Sequence, residues 1–148
     1  MTNAAAHTGR EVVLNLDLRD FFPTLTWVRV RGLFRSLGYA PEAATVLALL
    51  CTEAEVDEVL VDGRRWYVHR SARHLRRARR ARPPSTNLVC VRLDQRLTGL
   101  AAKLGWTYTR YADDLTFSGP PGSLKTLLGA VRAIVEDEGS ASTPTRRA

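Results

Sequence analysis

The chain has 148 residues, 45% of them hydrophobic and 25% charged, enough apolar material for one globular domain with a core. Its 22 Lys and Arg residues exceed its 15 Asp and Glu residues, which gives a net charge of +7. The longest apolar run, residues 43–51, is too short to span a bilayer, and the N-terminus lacks the pattern of a signal peptide. A membrane role is therefore not expected. Cys51 and Cys90 lie in apolar helical stretches, as thiols do in reducing interiors, and the cytoplasm is the expected location.

The first predicted element is a strand over residues 11–17, after a flexible N-terminal segment at 1–10. Residues 12–18 form a short apolar run, interrupted by Asn15 and Asp17. Such a run is typical of a buried strand. This strand delivers the carboxylate of Asp17 at its end.

Two helices and a hairpin are predicted next. The first helix covers residues 26–37, because one face of it collects the apolar side chains of Trp27, Val30, Phe34 and Leu37. The second opens at a proline and covers residues 41–51. Residues 59–68 then predict a β-hairpin, an edge ribbon with Asp62 and Gly63 at its turn.

The second half of the chain predicts a helix, a hairpin and another helix. Apolar residues at helical spacing indicate a helix over 85–104 that ends at Gly105. Alternating β-branched and aromatic residues on both sides of Ala112 predict a second hairpin. Ser123 is predicted to cap a last helix that runs to about residue 138. This order of elements predicts an α+β fold with a small antiparallel sheet packed on helices.

Two adjacent aspartates, Asp113 and Asp114, lie at the turn of the second hairpin. Two like charges side by side cost stability unless a cation or water separates them. If the strand that ends at Asp17 lies beside this hairpin, three carboxylates converge within reach of two divalent ions about 3.5–4 Å apart. Such a site suits phosphoryl transfer. The alternative is a solvated acidic turn, since aspartate is a common turn residue.

Two stretches carry a family resemblance: Asn-Leu-Asp-Leu-Arg-Asp-Phe-Phe-Pro at 15–23 and Tyr-Ala-Asp-Asp at 111–114. Together they resemble the palm of bacterial reverse transcriptases of the retron and group II intron type, and shorter landmarks between them keep the family order. The resemblance implies an RNA-directed DNA polymerase, a nucleotidyltransferase with a palm-like fold. A complete enzyme adds fingers and a thumb, so residues 11–139 are expected to be a partial palm domain. Residues 140–148 are expected to be a disordered tail.

The resemblance also implies a metal site. Asp17 and Asp113 would be direct ligands of two Mg²⁺ ions, with Mn²⁺ as an alternative. Asp114 would support them, and the backbone carbonyl of Leu18 would be a further oxygen ligand. The metals would activate the primer 3′ hydroxyl and stabilise the leaving pyrophosphate.

Five further residues match family positions that contact substrate. Phe22 matches the aromatic residue under the sugar that selects deoxynucleotides, and Phe21 precedes it. Arg19 and Asp20 match positions near the incoming triphosphate, and Tyr111 matches a residue beside the primer terminus. The alternatives are ordinary core phenylalanines, surface ion pairs and a plain strand tyrosine.

The excess of positive charge comes from one segment, because seven arginines fall between Arg70 and Arg82. Such a run would bind phosphate without reading bases, or it is a solvated basic loop. At 76–83 the family carries Pro-Gln-Gly-Ala-Pro-Thr/Ser-Ser-Pro, and GC-rich codons for its first five residues, shifted by one base, spell Arg-Arg-Ala-Arg-Arg. The family's Phe-Arg-Val-His-Pro-Asp-Lys-Thr-Arg, shifted likewise, matches the tail at 140–148. The hypothesis is that both segments are frameshifted.

Two classes of function stay open at this point. One is a reverse transcriptase palm fragment, impaired when isolated, acting with an RNA template, a DNA or RNA primer, dNTPs and a structured non-coding RNA. The other is an inactive remnant or a basic nucleic-acid-binding module. The sequence contexts disfavour a nucleotidyl cyclase. They do not distinguish a retron enzyme, a group II intron maturase and an enzyme of antiviral defence.

Overall fold

A computed structural model describes residues 3–18, 21–75, 84–138 and 144–147. Its helices are α1 (Phe21–Thr24), α2 (Trp27–Ser36), α3 (Pro41–Cys51), α4 (Pro84–Val89), α5 (Val91–Lys103) and α6 (Leu124–Asp137). Its strands are β1 (Val12–Leu18), β2 (Thr52–Glu53), β3 (Val56–Val61), β4 (Arg64–His69), β5 (His74–Leu75), β6 (Thr107–Tyr111), β7 (Asp114–Gly119) and β8 (Pro144–Arg147). Helices with small antiparallel sheets confirm the predicted α+β class.

The chain divides into two compact units, so the segment 11–139, predicted as one partial domain, includes parts of both. The first unit comprises residues 1–21 and 90–148, and the second comprises residues 22–89. The first unit contains the largest sheet, with strand order β6-β7-β1-β8 and antiparallel neighbours throughout. Both predicted strands of the second hairpin are therefore confirmed, and β1 lies directly beside β7.

One face of this sheet is apolar and the other is polar, because successive side chains of a strand point to opposite faces. Buried residues from β1 and β7 alternate with polar ones and form part of the core: Leu14, Leu16, Leu18, Leu115 and Phe117. Helices α5 and α6 pack against each other and each buries a stripe of three residues, namely Leu93, Leu97, Ala101, Leu127, Val131 and Val135. Burying each leucine or valine stabilises the fold by roughly 1.5–3 kcal/mol. The carboxylate-bearing end of β1 is thus fixed by the core beneath it.

Trp106 packs closely against the backbone at the end of β7. A Cβ atom added at Gly119 would lie 2.6 Å from Trp106 Cδ2, closer than any real contact of that kind. We therefore expect Gly119→Ala to lower the free energy of unfolding by roughly 1–3 kcal/mol through overpacking. Gly129→Ala is the control, since a Cβ there meets nothing within 4 Å on α6 and should raise stability by up to about 1 kcal/mol. Urea denaturation measures both, and equal midpoints would contradict the prediction.

The second unit consists of packed helices and an exposed hairpin. Helices α2 and α3 lie side by side, with Val30 of α2 and Ala44 and Ala48 of α3 fully buried. The predicted boundaries of α3 are confirmed, as is the β3–β4 hairpin with Asp62 and Gly63 at its turn. All residues of β3 and β4 are exposed.

Two predictions about helices are wrong in detail. The single helix predicted over 85–104 is two helices, α4 and α5, because the backbone of Cys90 (φ −95°, ψ 3°) leaves helical geometry and begins α5. Ser123 precedes α6 but its side chain makes no capping hydrogen bond. Its hydroxyl instead accepts a hydrogen bond from Trp106 Nε1 at 2.7 Å. The local sequence pattern indicated neither the break at Cys90 nor the partner of Ser123.

The structure describes one short element within each of the two terminal segments. Residues Asn3–His7 form a 3-10 helix within the segment 1–10. In the tail 140–148, β8 pairs with β1 in an antiparallel ladder. The basic run at 76–82 lies outside the described residues. Among the described parts of the chain, no helix is long and apolar enough to cross a membrane.

Candidate metal and nucleotide site

The connection between β6 and β7 is a two-residue turn. Tyr111 and Asp114 are cross-strand partners, so only Ala112 and Asp113 lie between the strands. Ala112 has φ of +56°, the left-handed region that L residues with a Cβ rarely adopt. Such a conformation costs on the order of 1–3 kcal/mol and persists only where the surroundings hold it. The turn that carries the predicted carboxylates is therefore a strained one.

The sheet register brings the predicted carboxylates to one end of the sheet. Asp17 of β1 lies directly opposite Asp114 of β7, and Asp113 adjoins it in the turn. The backbone N–H of Leu18 donates a hydrogen bond to the carbonyl of Asp113 at 3.0 Å, which ties the turn to the end of β1. Two like charges directly opposite each other destabilise a sheet unless something compensates them.

The three carboxylates supply the right donor atoms without forming a closed site. Carboxylate oxygens are the ligands that Mg²⁺ and Mn²⁺ prefer, so Asp17, Asp113 and Asp114 fit a hard divalent ion chemically. Within the described ranges, however, no group of three His, Cys, Asp or Glu side chains is close enough to hold a metal ion together. The register places the three residues next to one another at this end of the sheet.

The other predicted substrate residues have different surroundings. Tyr111 is opposite Asp114 and is 58% exposed, so its ring is accessible at the same end of the sheet. Phe21 is 2% exposed, which agrees with the core alternative. Phe22 is half-buried and belongs to the second unit. Arg19 and Asp20 lie outside the described residues.

A partly buried ion pair next to the turn was not predicted. Arg110 of β6 donates two parallel hydrogen bonds to Asp94 of α5, from Nε to Oδ1 and from Nη2 to Oδ2, each 2.7 Å long. Its Nη1 donates to the backbone carbonyl of Ala112 at 3.0 Å. Tyr108 completes the cluster, its hydroxyl donating to Asp94 Oδ1 at 2.9 Å. The partners are far apart in sequence, and only the arginine next to the Tyr-Ala-Asp-Asp stretch hinted at a role.

Burial and charge determine the protonation of this cluster. Burial, with the nearby carboxylate of Asp94, raises the pKa of the Tyr108 hydroxyl far above its usual range, so the hydroxyl stays a donor. Burial alone would lower the pKa of Arg110, but the hydrogen bond to Asp94 and neighbouring negative charge raise it. The hydroxyl of Tyr108 therefore stays protonated and the guanidinium of Arg110 stays charged across the physiological pH range.

The N-terminal 3-10 helix covers part of the polar face of the sheet. His7 is buried, with Nδ1 2.7 Å from Ser118 Oγ and Nε2 2.8 Å from Thr109 Oγ1. Burial lowers the pKa of His7, and the positive charge of Arg10 lowers it further. This contact involves strand positions that lie further from the turn than Tyr111 and Asp114.

Comparison with known proteins identifies relatives of the chain. It is 44% identical over 152 residues to the retron Mx162 reverse transcriptase of Myxococcus xanthus, an alignment that covers 94% of the chain and 31% of the relative. It is 49% identical to the retron Mx65 reverse transcriptase of the same organism, covering 93% and 33%. The retron Ec86 reverse transcriptase of Escherichia coli is 36% identical, covering 94% and 38%. The chain thus spans about a third of the length of these relatives, and no protein-family model matches it.

Proposed function

We propose that the chain is the carboxylate-bearing part of an RNA-directed DNA polymerase. Nearly its whole length aligns with about a third of the length of three retron reverse transcriptases. One structural observation carries the proposal: Asp17 and Asp114 are direct partners in a sheet whose strained turn holds Asp113 beside them. A solvated acidic turn does not account for the strain at Ala112, whereas strained turns are frequent at functional sites. A site for a divalent ion would use the carboxylate oxygens that the register brings to this end of the sheet.

In this proposal the side chains of Asp17 and Asp113 hold the metal, with Asp114 and the carbonyl of Leu18 as supporting oxygen donors. A divalent ion bound there supplies the charge neutralisation that nucleotidyl transfer from a dNTP to a primer 3′ hydroxyl requires. The protein's own task is to keep negatively charged oxygens fixed at the end of a rigid sheet. The buried leucines beneath β1 serve that task.

The substrate contacts are proposed on the resemblance. The exposed ring of Tyr111 offers an apolar surface next to Asp114 for a primer terminus. We assign Phe22 to the sugar of the incoming dNTP, and Arg19 and Asp20 to its triphosphate. Phe21, being buried, would act by supporting its neighbour. The partners are an RNA template, a DNA or RNA primer and a structured non-coding RNA.

The test places the chain in the context of a whole enzyme. Residues 11–138 replace the matching segment of the retron Mx65 reverse transcriptase, in one chimera unchanged and in a second with the relative's own residues at 76–83. We expect Mg²⁺-dependent primer extension on an RNA template from the second chimera, and much weaker extension from the isolated chain because template and primer are poorly positioned. A chelator should abolish the extension.

The two chimeras also separate the proposal from its alternatives. Extension only by the second chimera would assign a loss of activity to the basic segment 76–83. If neither chimera extends a primer while both fold, the chain is an inactive remnant. Salt-sensitive RNA binding without extension would favour the basic nucleic-acid-binding module.

A further inference from the structure

Arg110 connects helix α5 to the carboxylate turn. Its side chain is 4% exposed, and its planar guanidinium is used on two sides: two N–H groups donate to Asp94, and a third donates to the carbonyl of Ala112. Asp94 lies in the first turn of α5, whose apolar stripe is fully buried. The helix, the ion pair and the turn therefore form one continuous rigid connection.

This connection fixes one of the two peptide groups next to Asp113. The carbonyl of Ala112 belongs to the peptide that enters Asp113, and Arg110 holds it. The carbonyl of Asp113 belongs to the peptide that leaves it, and the N–H of Leu18 holds that one. With both flanking peptides held, the backbone of Asp113 has little freedom to rotate. Its carboxylate therefore starts from a defined position.

The strain at Ala112 makes an external restraint necessary. A two-residue turn with positive φ at its first position favours glycine there, and an alanine tends to relax toward other conformations. A hydrogen bond from a buried, charged donor is among the stronger restraints that a protein can place on a carbonyl. Arg110 is the residue that supplies it at Ala112.

We propose that Arg110 and Asp94 are positioning residues that hold the turn so that Asp113 can bind a divalent ion, with Tyr108 orienting the carboxylate of Asp94. The inference rests on the proposed function in one respect, namely that Asp113 is a metal ligand. Outer residues of this kind commonly change metal affinity by about 10–100-fold when they are replaced.

Direct binding of Mn²⁺ to the full chain tests the proposal, measured by electron paramagnetic resonance of the free ion. Arg110→Lys keeps the positive charge beside Asp94, but a single ammonium cannot span both the carboxylate and the carbonyl of Ala112. We expect it to weaken Mn²⁺ binding by about tenfold. Asp113→Asn identifies the site, because binding at the proposed site must depend on that carboxylate.

Arg96→Lys is the matched control. Arg96 lies on α5, as Asp94 does, and it forms ion pairs with Asp137 and Glu138 at the end of α6. Replacing it disturbs an Arg–carboxylate pair without touching the turn, so Mn²⁺ affinity should stay at the wild-type value. If Arg96→Lys weakened binding as much as Arg110→Lys, the effect would be general destabilisation and the proposal would be overturned.

A milder variant keeps the test valid if Arg110→Lys does not fold. Tyr108→Phe removes one hydrogen bond to Asp94 and leaves the ion pair in place, so we expect about threefold weaker Mn²⁺ binding. The positioning role alone is overturned if Tyr108→Phe and any folded Arg110→Lys bind Mn²⁺ with wild-type affinity. In that case Asp113→Asn must still lose Mn²⁺ binding. If Mn²⁺ binding to the wild-type protein does not depend on Asp113, both the proposed metal site and the positioning role are overturned.

Discussion

Asp113→Asn is expected to reduce primer extension by the active chimera on the order of a thousandfold or more, which removes about 4 kcal/mol of transition-state stabilisation. Asparagine keeps the shape of aspartate and tolerates the same turn, so the strained backbone should survive. What it lacks is the negative charge that a hard cation requires of its ligands. The loss should appear in the rate constant of extension at saturating dNTP, measured under single-turnover conditions in Mg²⁺.

Asp62→Asn provides the matched control for this experiment. Asp62 also lies in a hairpin turn, between β3 and β4, and has φ of +51°. It carries the same charge in the same kind of two-residue turn but lies in the second unit, on an exposed ribbon. Its replacement should leave extension unchanged. Full activity in Asp113→Asn would remove this residue from the metal site and would favour the solvated acidic turn.

The strands that carry the carboxylates could be predicted because their signals are local. An apolar run that ends at Asp17 and an alternating pattern around Ala112 each describe one strand and need no distant partner. The resemblance to reverse transcriptases then placed both motifs in one sheet. The relatives confirm that resemblance over nearly the whole chain.

The register and the supporting contacts could not be predicted in the same way. That Asp17 faces Asp114, and not a neighbour of it, depends on pairing between strands far apart in sequence. The apolar spacing likewise did not indicate the break at Cys90, and the partner of Ser123 depends on a tertiary contact. A hydrophobic pattern describes which face of an element is buried, but it does not say which polar atoms meet at its edges.

The Asp94–Arg110 pair illustrates that limit most clearly. Periodicity places Asp94 on the first turn of a helix, where acidic residues are common because they complement the helix dipole. That local explanation is sufficient for the sequence and gives no reason to look for a partner. In the structure the same carboxylate accepts hydrogen bonds from both Arg110 and Tyr108.

Asp94→Ala should destabilise the protein more than Gly119→Ala does, with a loss of roughly 3–5 kcal/mol in the free energy of unfolding. The reason is that a buried charged side chain loses its Asp94 partner, since the side chain of Arg110 is 4% exposed whereas that of Asp94 is 31% exposed. The hydroxyl of Tyr108 also loses its acceptor. Urea denaturation monitored by circular dichroism measures the loss.

Two comparisons separate the effect of a buried charge that has lost its Asp94 partner from the effect of the lost contacts. Glu136→Ala removes the carboxylate of an exposed pair with Arg132 on α6, and it should leave the unfolding midpoint nearly unchanged. Combining Asp94→Ala with Arg110→Met and Tyr108→Phe removes the charge and both polar partners, so most of the lost stability should return. That triple variant should nevertheless bind Mn²⁺ poorly, because an apolar side chain can restore packing but cannot hold the carbonyl of Ala112. If stability did not return, the pair would matter for the fold through its packing, and the loss of the Asp94 charge beside Arg110 would not be the cause.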